Sequence, residues 1–167
     1  MSPLKKLPTG VPGLDTLTLG GIPEGRSTLI TGKSGTGKTV VGLQIACNLA
    51  REGVVTILVA VEESPEDLQD SGDMLNLGTS HLVRQGALHF ADFTRRMDGA
   101  TLVSGEYDVF GLVHRIEAIA KQTGARAVLV DSATALFSPR PPLESLRSHF
   151  FQLVYAMRKL RLTSIIL

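Results

Sequence analysis

Several features of secreted, membrane-bound and nucleic-acid-coating proteins are scarce in this sequence of 167 residues. It has one cysteine, Cys47, which cannot form an internal disulfide. No apolar run approaches the ~20 residues that a membrane span needs, and the N-terminal MSPLKKLPTG contains no hydrophobic signal core. The 17 lysines and arginines are balanced by 16 aspartates and glutamates, so the net charge is +1 and no global basic field exists for a phosphate backbone. We therefore expect a cytoplasmic protein with no membrane association.

Aromatic side chains and clustered metal ligands are also rare. Aromatic residues make up 5% of the chain and tryptophan is absent, so a surface on which single-stranded bases could stack is poorly supplied. The histidines at positions 81, 89, 114 and 149 show no short ligand spacing with one another or with Cys47, and no G-x-S-x-G motif occurs. DNA binding, a zinc site and serine hydrolase chemistry are therefore disfavoured, and Cys47 is expected to be a small core residue.

What the sequence does contain is an alternation of apolar strands with amphipathic helices. Short β-branched and apolar runs predict strands at 27–31, 56–61, 87–92, 127–131 and 163–167. Periodic apolar positions and capping signals predict helices at 40–51, 64–75, 109–122 and 143–160. Residues 1–25 are expected to form an ordered loop and 93–107 a surface loop. This order predicts a single α/β domain over 1–167, with a parallel sheet flanked by helices on both faces.

Two of the predicted helices show clear inward faces. The helix 109–122 is expected to bury Phe110, Val113, Ile116 and Ile119 or Ala120, and the helix 143–160 to bury Leu146, Phe150, Leu153, Val154, Met157 and Leu160. The chain stops inside its fifth predicted strand. We expect a domain truncated there, with its C-terminal strands and any second domain absent. The strand 27–31 would then be an exposed edge, so we expect residues 1–167 alone to be poorly soluble or to associate in a form other than a ring.

A phosphate-binding loop is the strongest motif in the chain. Residues 32–39, GKSGTGKT, fit G-x-x-x-x-G-K-[ST] between an apolar strand and a helix, which is the context that the motif requires. Backbone amides of Ser34, Gly35, Thr36 and Gly37 are expected to surround a phosphate at the positive helix N-terminus. Lys38 would reach the β- and γ-phosphates, and the hydroxyl of Thr39 would ligate Mg²⁺. The alternative is an ordinary glycine-rich strand-to-helix turn.

Acidic residues follow two of the predicted strands. Asp131 ends the run AVLV, where a second Mg²⁺ ligand is expected, although an aspartate at a strand end can also cap a turn. Glu62 and Glu63 follow the strand 56–61, and ligands bind at this edge of an open α/β sheet. Neighbouring strand residues point to opposite faces, so one of the pair, for which we favour Glu62, is expected to activate the attacking water. Alternatively, both glutamates are solvated or serve the next helix.

The order of these motifs resembles that of a known family. The runs GLDTLTLGGIPEGRSTLITGKSGTGKT, VAVEESPEDL and RAVLVDSATALF are similar to the ATPase domain of the RecA superfamily, most closely to the KaiC family of clock and clock-related ATPases. The resemblance implies that the strand 163–167 lies between the strands 27–31 and 127–131, with 56–61 and 87–91 beyond them. It also implies a hexameric ring with ATP between subunits, in which Glu62 and Glu63 match the catalytic carboxylate pair.

Further features follow only from the resemblance. Arginine and lysine fingers would come from the neighbouring subunit, from positions after Leu167, and the segment 137–145 would correspond to a loop near the central channel. The serine and threonine that clock members phosphorylate belong to a second domain that this sequence lacks, so kinase activity is not carried over. ATP in preference to GTP is likewise implied by the resemblance alone, because the loop contacts phosphates through its backbone.

The sequence therefore predicts a P-loop NTPase with a RecA-like fold that binds ATP and Mg²⁺ and hydrolyses ATP in an oligomeric ring. Its catalytic residues would be Glu62, Glu63 and Lys38, its role signalling or circadian-type regulation, and its partners further copies and regulatory proteins. One alternative is a DNA-dependent motor or recombinase, for which Arg95, Arg96 and the group Arg158, Lys159 and Arg161 could contact phosphates. A solvated face or a subunit contact is the favoured interpretation of these basic residues. Another alternative is a non-catalytic scaffold that binds nucleotide.

Overall fold

The computed structural model describes residues 4–94, 109–136 and 143–167. Strands and helices alternate along most of this chain, as the apolar periodicity predicts. The strands are β1 (Lys6–Leu7), β2 (Ile22–Pro23), β3 (Ser27–Leu29), β4 (Thr56–Ala60), β5 (Leu88–Asp92), β6 (Ala127–Asp131) and β7 (Thr163–Ile166). The helices are α1 (Pro12–Leu17), α2 (Lys38–Arg51), α3 (Pro65–Met74), α4 (Thr79–Arg84), α5 (Val109–Thr123), α6 (Ala133–Leu136) and α7 (Leu143–Lys159).

Five of the strands form one parallel sheet in the order β3-β7-β6-β4-β5. This confirms the predicted fold class and the strand order implied by the resemblance. Every residue of β4, β6 and β7 is buried. Strands covered on both faces are apolar along their whole length, which explains why they appear in the sequence as continuous rather than alternating apolar runs.

Two hydrophobic clusters cover the two faces of the sheet. The first packs α2, α3 and α4 against residues such as Leu58 of β4 and Leu129 of β6. The second packs α5 and α7 against their strand neighbours, such as Val59 and Val130. Because side chains alternate along a strand, consecutive residues pack into the clusters on opposite faces of the sheet. Buried Cys47 belongs to the first cluster, as predicted.

The buried face of α7 agrees with the prediction, and the buried face of α5 differs from it at one position. All six residues predicted to point inward from α7 belong to the second cluster, with Leu153 and Met157 fully buried. On α5 the assignment of Phe110 is wrong, since it is 65% exposed. Val109 and Leu112 are buried instead and share a face with Ile116. These positions are related by the helical spacing of three to four residues, and Phe110 falls outside that arc.

The N-terminal segment has more structure than the predicted loop. β1 pairs antiparallel with β2, and α1 lies between them. The Asp15 carboxylate accepts hydrogen bonds from the Thr9 amide (2.8 Å), the Thr9 hydroxyl (2.6 Å) and the Gly10 amide (3.0 Å). Desolvation acts to raise the pKa of Asp15, but these bonds outweigh it and lower the pKa. Asn48 of α2 donates to the Thr9 carbonyl at 3.0 Å, which ties the segment to the helix.

Three other differences concern short or undescribed stretches. α4 and α6 were not predicted, and β3 covers three residues rather than five. The predicted surface loop 93–107 lies outside the described residues except for its first two positions, and the predicted channel loop 137–145 lies outside them up to residue 142.

Within the part of the chain that the structure describes, no helix is long and apolar enough to cross a membrane.

Candidate functional site

The candidate site lies at the carboxyl edge of the sheet. The loop 30–37 connects β3 to α2, Glu62 and Glu63 follow β4, and Asp131 is the last residue of β6. β4 and β6 are neighbours, with Ala60 opposite Asp131 in the register. Glutamates two and three residues beyond Ala60 therefore emerge beside Asp131. The fold thus brings together residues that are far apart in the sequence.

The glycines of the P-loop allow its backbone to turn tightly. Gly35 and Gly37 have φ angles of 79° and 82°, in the left-handed region that residues with a Cβ rarely adopt. A Cβ at Gly32 would lie 2.6 Å from Oγ1 of Thr36. That hydroxyl donates to the Lys33 carbonyl at 2.8 Å, which closes the loop on itself. Ser34, Gly35, Thr36 and Gly37 are all exposed, so a ligand can reach their backbone.

Lys38 is the first residue of α2, and its side chain folds back over the loop. Its ammonium donates to the carbonyl oxygens of Gly32 and Lys33, at 3.1 Å each. These carbonyls hold the ammonium beside the first two residues of the motif. The positive end of α2 reinforces its charge, because the first amides of a helix have no partner within the helix.

Asp131 is buried and has Thr39, Lys38 and both glutamates around it. Burial raises the pKa of Asp131, and the nearby charges of Glu62 and Glu63 raise it further. A hydrogen bond from Thr39 and the charge of Lys38 act in the opposite direction. These interactions show that Thr39, Lys38, Asp131 and the glutamate pair share one electrostatic environment. Burial disfavours the ionised form of this carboxylate, and two like charges repel it. A nearby cation would therefore stabilise the ionised form.

The two glutamates differ in how they are held. Both are exposed, but only Glu62 has a hydrogen bond among the described residues, in which the Ser132 hydroxyl donates to Glu62 Oε1 at 2.5 Å. Ser132 is itself buried and also accepts from the Ala135 amide at 3.4 Å. Sequence reasoning missed Ser132. Its place directly after Asp131 was visible, but its partner lies 70 residues away.

The residues present fit Mg²⁺ and a phosphate chain. Among the described residues, no group of three or more histidine, cysteine or acidic side chains is arranged so that the side chains alone could hold a metal ion. A hydroxyl from Thr39 and a carboxylate from Asp131 nevertheless suit Mg²⁺, which takes oxygen ligands and fills its remaining positions with water and phosphate. Burial and the charges of Glu62 and Glu63 raise the pKa of Asp131, so a cation beside this carboxylate would favour its ionised form.

Comparison with known proteins identifies the family. The family model of the ATPase KaiC matches residues 7–167, which is nearly the whole chain. The chain belongs to the KaiC family. The match to KaiC includes the P-loop, the glutamate pair and Asp131, and it extends into the N-terminal segment that Asp15 organises.

Individual KaiC proteins are similar over the same length. The chain is 35% identical over 163 residues to the circadian clock oscillator protein KaiC of Prochlorococcus marinus, which covers 97% of this chain and 32% of that protein. It is 34% identical to the protein of the same name from Thermostichus vulcanus, over 97% of this chain and 31% of that protein. It is also 34% identical to the circadian clock protein KaiC3 of a Synechocystis strain, over 97% and 32% of the two chains. The chain thus spans about a third of the length of these KaiC relatives.

Proposed function

We propose that this domain binds ATP with Mg²⁺ and hydrolyses it by in-line attack of water on the γ-phosphate. The observation that supports this most directly is the convergence of Lys38, Thr39, Glu62 and Glu63 on buried Asp131 at the carboxyl edge of the sheet. Membership of an ATPase family supports the choice of nucleotide. An ordinary glycine-rich turn would require no such convergence of charged groups.

Binding would rest on the P-loop and the start of α2. Amides of residues 34–37 would donate to phosphate oxygens, and the Lys38 ammonium would turn from its own carbonyls toward the β- and γ-phosphates. The Thr39 hydroxyl and the Asp131 carboxylate would hold Mg²⁺. When bound, Mg²⁺ neutralises the charge that develops on the phosphate oxygens. Asp131 would then gain the countercharge that the protein alone does not supply.

Hydrolysis would rest on the glutamate pair. A carboxylate at the end of β4 would orient a water molecule and accept a proton as the water oxygen attacks the γ-phosphorus. The bond from that phosphorus to the β,γ-bridging oxygen breaks, which leaves ADP and phosphate. We favour Glu62 for this role because the Ser132 hydroxyl fixes its carboxylate. Glu63, exposed beside it, would add negative charge.

The setting of the domain is also a proposal. The names of the relatives connect them with the circadian clock, which supports a role for this chain in signalling or circadian-type regulation in the cytoplasm, through regulatory protein partners. We propose that the protein works as a hexameric ring with nucleotide between subunits.

Variants of the binding and catalytic residues test the proposal separately. Lys38→Ala should abolish tight nucleotide binding, since it removes the charge that offsets the β- and γ-phosphates. Replacing both Glu62 and Glu63 with Gln should leave ATP affinity nearly unchanged and lower turnover by about 10² to 10⁴-fold, the usual contribution of a general base. Calorimetry and steady-state phosphate release on the full-length protein measure the two effects.

The single variants and a DNA titration separate the alternatives. Glu62→Gln should lower turnover more than Glu63→Gln, because only Glu62 has the Ser132 hydrogen bond. Turnover that requires single-stranded DNA would identify a DNA-dependent motor, and nucleotide binding without any turnover would identify a scaffold. Wild-type turnover in the double variant would overturn the hydrolytic mechanism. Unchanged ATP affinity in Lys38→Ala would overturn the phosphate site.

A further inference from the structure

The P-loop is anchored at both ends and held by few bonds between them. The Ile30 amide donates to a carbonyl of β7 at 2.9 Å, and the Gly37 carbonyl accepts from an amide of α2 at 3.0 Å. Between these anchors, the described residues form one backbone hydrogen bond, from the Thr36 amide to the Lys33 carbonyl at 3.3 Å. That distance is longer than is usual for an amide donor, so the backbone alone holds the middle of the loop weakly.

The Lys33 carbonyl also accepts bonds from two side chains. The Thr36 hydroxyl donates to it at 2.8 Å and the Lys38 ammonium at 3.1 Å. A carbonyl oxygen has two lone pairs, so these donors and the Thr36 amide compete for it. The hydroxyl is the closest of the three, and it stays in place when Lys38 turns toward a phosphate. The Thr36 side chain is therefore suited to keep the bend between residues 33 and 36 closed with and without Lys38.

The space for this hydroxyl exists because residue 32 is glycine. A Cβ at Gly32 would lie 2.6 Å from Thr36 Oγ1, whereas the Thr36 Cβ and the Lys38 Cδ would be in ordinary contact at 3.6 and 3.7 Å. Gly32 does not have a positive φ angle, so its backbone conformation does not require glycine. The first glycine of the motif is thus needed for the room that the Thr36 hydroxyl occupies.

We propose that Thr36 is a positioning residue of the nucleotide site, whose hydroxyl keeps the P-loop in shape when Lys38 leaves the Lys33 carbonyl for the phosphates of ATP. A loop that already has its bound shape does not have to be ordered by the ligand, so more of the contact energy appears as affinity. The hydroxyl donates to the loop itself, so it acts through the loop and not on the reacting atoms. This inference rests on the proposed ATP site and names a residue that shapes it.

Amide hydrogen exchange tests the role of the hydroxyl without any nucleotide. In the nucleotide-free full-length protein, Lys38→Ala takes the ammonium away from the carbonyl, as binding of ATP would. Exchange in the peptide 32–39 should then stay within about twofold of wild type, because the hydroxyl still closes the bend. Adding Thr36→Ala should speed this exchange about 3- to 10-fold, the effect of one lost hydrogen bond, whereas Thr36→Ser in its place keeps the hydroxyl and should not.

The matched control is Thr16→Ala combined with Lys38→Ala. Thr16 is also exposed, and its hydroxyl donates to the Pro12 carbonyl at 2.9 Å within α1. This control should show the same loop exchange as Lys38→Ala alone. Equal exchange with and without Thr36→Ala would overturn the proposal. The same acceleration by Thr36→Ser would also overturn it, because the methyl group and not the hydroxyl would then hold the loop.

Titration with MgATP and steady-state turnover measure the effect on the site. Thr36→Ala alone should raise the Kd of MgATP about 3- to 10-fold, and Thr36→Ser should restore it. Turnover at saturating MgATP should stay within about twofold of wild type, because the glutamate pair and the proposed metal ligands are unchanged. A fall in saturated turnover as large as the loss of affinity would overturn the positioning role.

Gly32→Ala gives a second test of the same hydroxyl. The added Cβ displaces Thr36 Oγ1, so this variant should weaken MgATP binding about as much as Thr36→Ala does. Combining the two should cause little further loss, because both remove the same bond. Fully additive losses would contradict the proposal.

The outcomes separate this inference from the proposed function. If the wild-type protein binds MgATP and Lys38→Ala does not, while Thr36→Ala binds like wild type, the positioning role is wrong and the ATP site stands. A wild-type protein that binds no MgATP would overturn both. Circular dichroism confirms that each variant is folded.

Discussion

Asp131 is buried beside two other carboxylates, Glu62 and Glu63, and burial raises its pKa. When an acid has a higher pKa in the folded state than in the unfolded state, its protonation stabilises the fold. This stabilisation is fully present below the pKa of the unfolded state and is lost as the pH rises through the pKa of the folded state. At neutral pH, ionised Asp131 therefore opposes folding. The residue that we assign to metal binding is one that the fold tolerates at a cost in stability.

Asp131→Asn should stabilise the nucleotide-free protein and impair binding. The amide keeps an acceptor for the Thr39 hydroxyl and carries no charge, so Tm at pH 7 should rise by about 2 to 4 °C, the effect of ~1 kcal/mol on a chain of this size. The difference from wild type should vanish below about pH 4, where the aspartate is protonated. Thermal scans across pH measure the first effect, and Mg²⁺-dependent nucleotide affinity, which should fall, measures the second. A lower Tm at pH 7 would contradict the pKa assignment.

The Ser132 hydroxyl positions the carboxylate of Glu62, so removing this hydroxyl should lower turnover. Ser132→Ala leaves the carboxylate without the hydroxyl that donates to it, so we expect turnover to fall about 10- to 100-fold, as small misplacements of a reacting group produce. ATP affinity should be unchanged, because Ser132 belongs neither to the loop nor to the proposed metal ligands, Thr39 and Asp131. Ser132→Thr retains a hydroxyl and should recover much of the rate. Full activity in Ser132→Ala would show that another contact orients Glu62.

Among the helices, α3 packs closely against α4 through a glycine. Gly72 of α3 is buried, and a Cβ there would lie 1.9 Å from Oγ1 of fully buried Thr79. Thr79 in turn lies 3.6 Å from the Cys47 sulfur, so it is held from the other side as well. A branched side chain packed on both sides has no room to move away.

Gly72→Ala should therefore destabilise the protein. Overpacking of this kind costs about 1 to 3 kcal/mol in the free energy of unfolding. The matched control is Gly13→Ala in α1, where a Cβ meets nothing within 4 Å and where alanine should be neutral or stabilising by about 0.5 to 1 kcal/mol. Urea denaturation of both variants gives the comparison. If Gly72→Ala changed the free energy of unfolding no more than Gly13→Ala does, α3 and α4 would be able to move apart and accommodate the added Cβ.

The elements that the sequence predicted well share a physical property. β4, β6 and α7 depend on side chains that are buried on predictable faces, so their apolar spacing is visible in the sequence. β1, β2 and α4 have two, two and six residues, too few for any periodicity to appear. The P-loop was predictable because neighbouring residues form it. The bond between Ser132 and Glu62 depends on the pairing of β4 with β6, which a local pattern does not encode.

In the whole molecule, β3 is the edge of the described sheet beside the site. It pairs only with β7, and Leu29 on it is exposed. Edge strands with exposed apolar residues pair readily with other chains, and a lysine on the edge discourages this. The expected poor solubility of residues 1–167 would follow from that edge.

Leu29→Lys should therefore reduce aggregation of the 167-residue chain on concentration. The control is Leu17→Lys, which adds the same charge at an exposed position of α1, away from any strand edge, and should change aggregation much less. Light scattering during stepwise concentration measures both. Equal improvement by the two variants would attribute the effect to net charge and not to the edge.

The place of β7 in the sheet has a consequence for the order of folding. The P-loop follows β3, whose partner β7 is the last strand that the structure describes, and the hydroxyls of Ser27 and Ser164 that meet across the pair are 137 residues apart. Synthesis proceeds from the N-terminus, so β4, β5 and β6 can pair as soon as each is made. β3 lacks its partner strand until β7 has been synthesised. Contacts of such long sequence separation also form slowly. The proposed phosphate-binding loop, encoded near the N-terminal end of the sequence, thus reaches its final position only after β7 has been made, so ATP would bind only chains in which β3 has paired with β7.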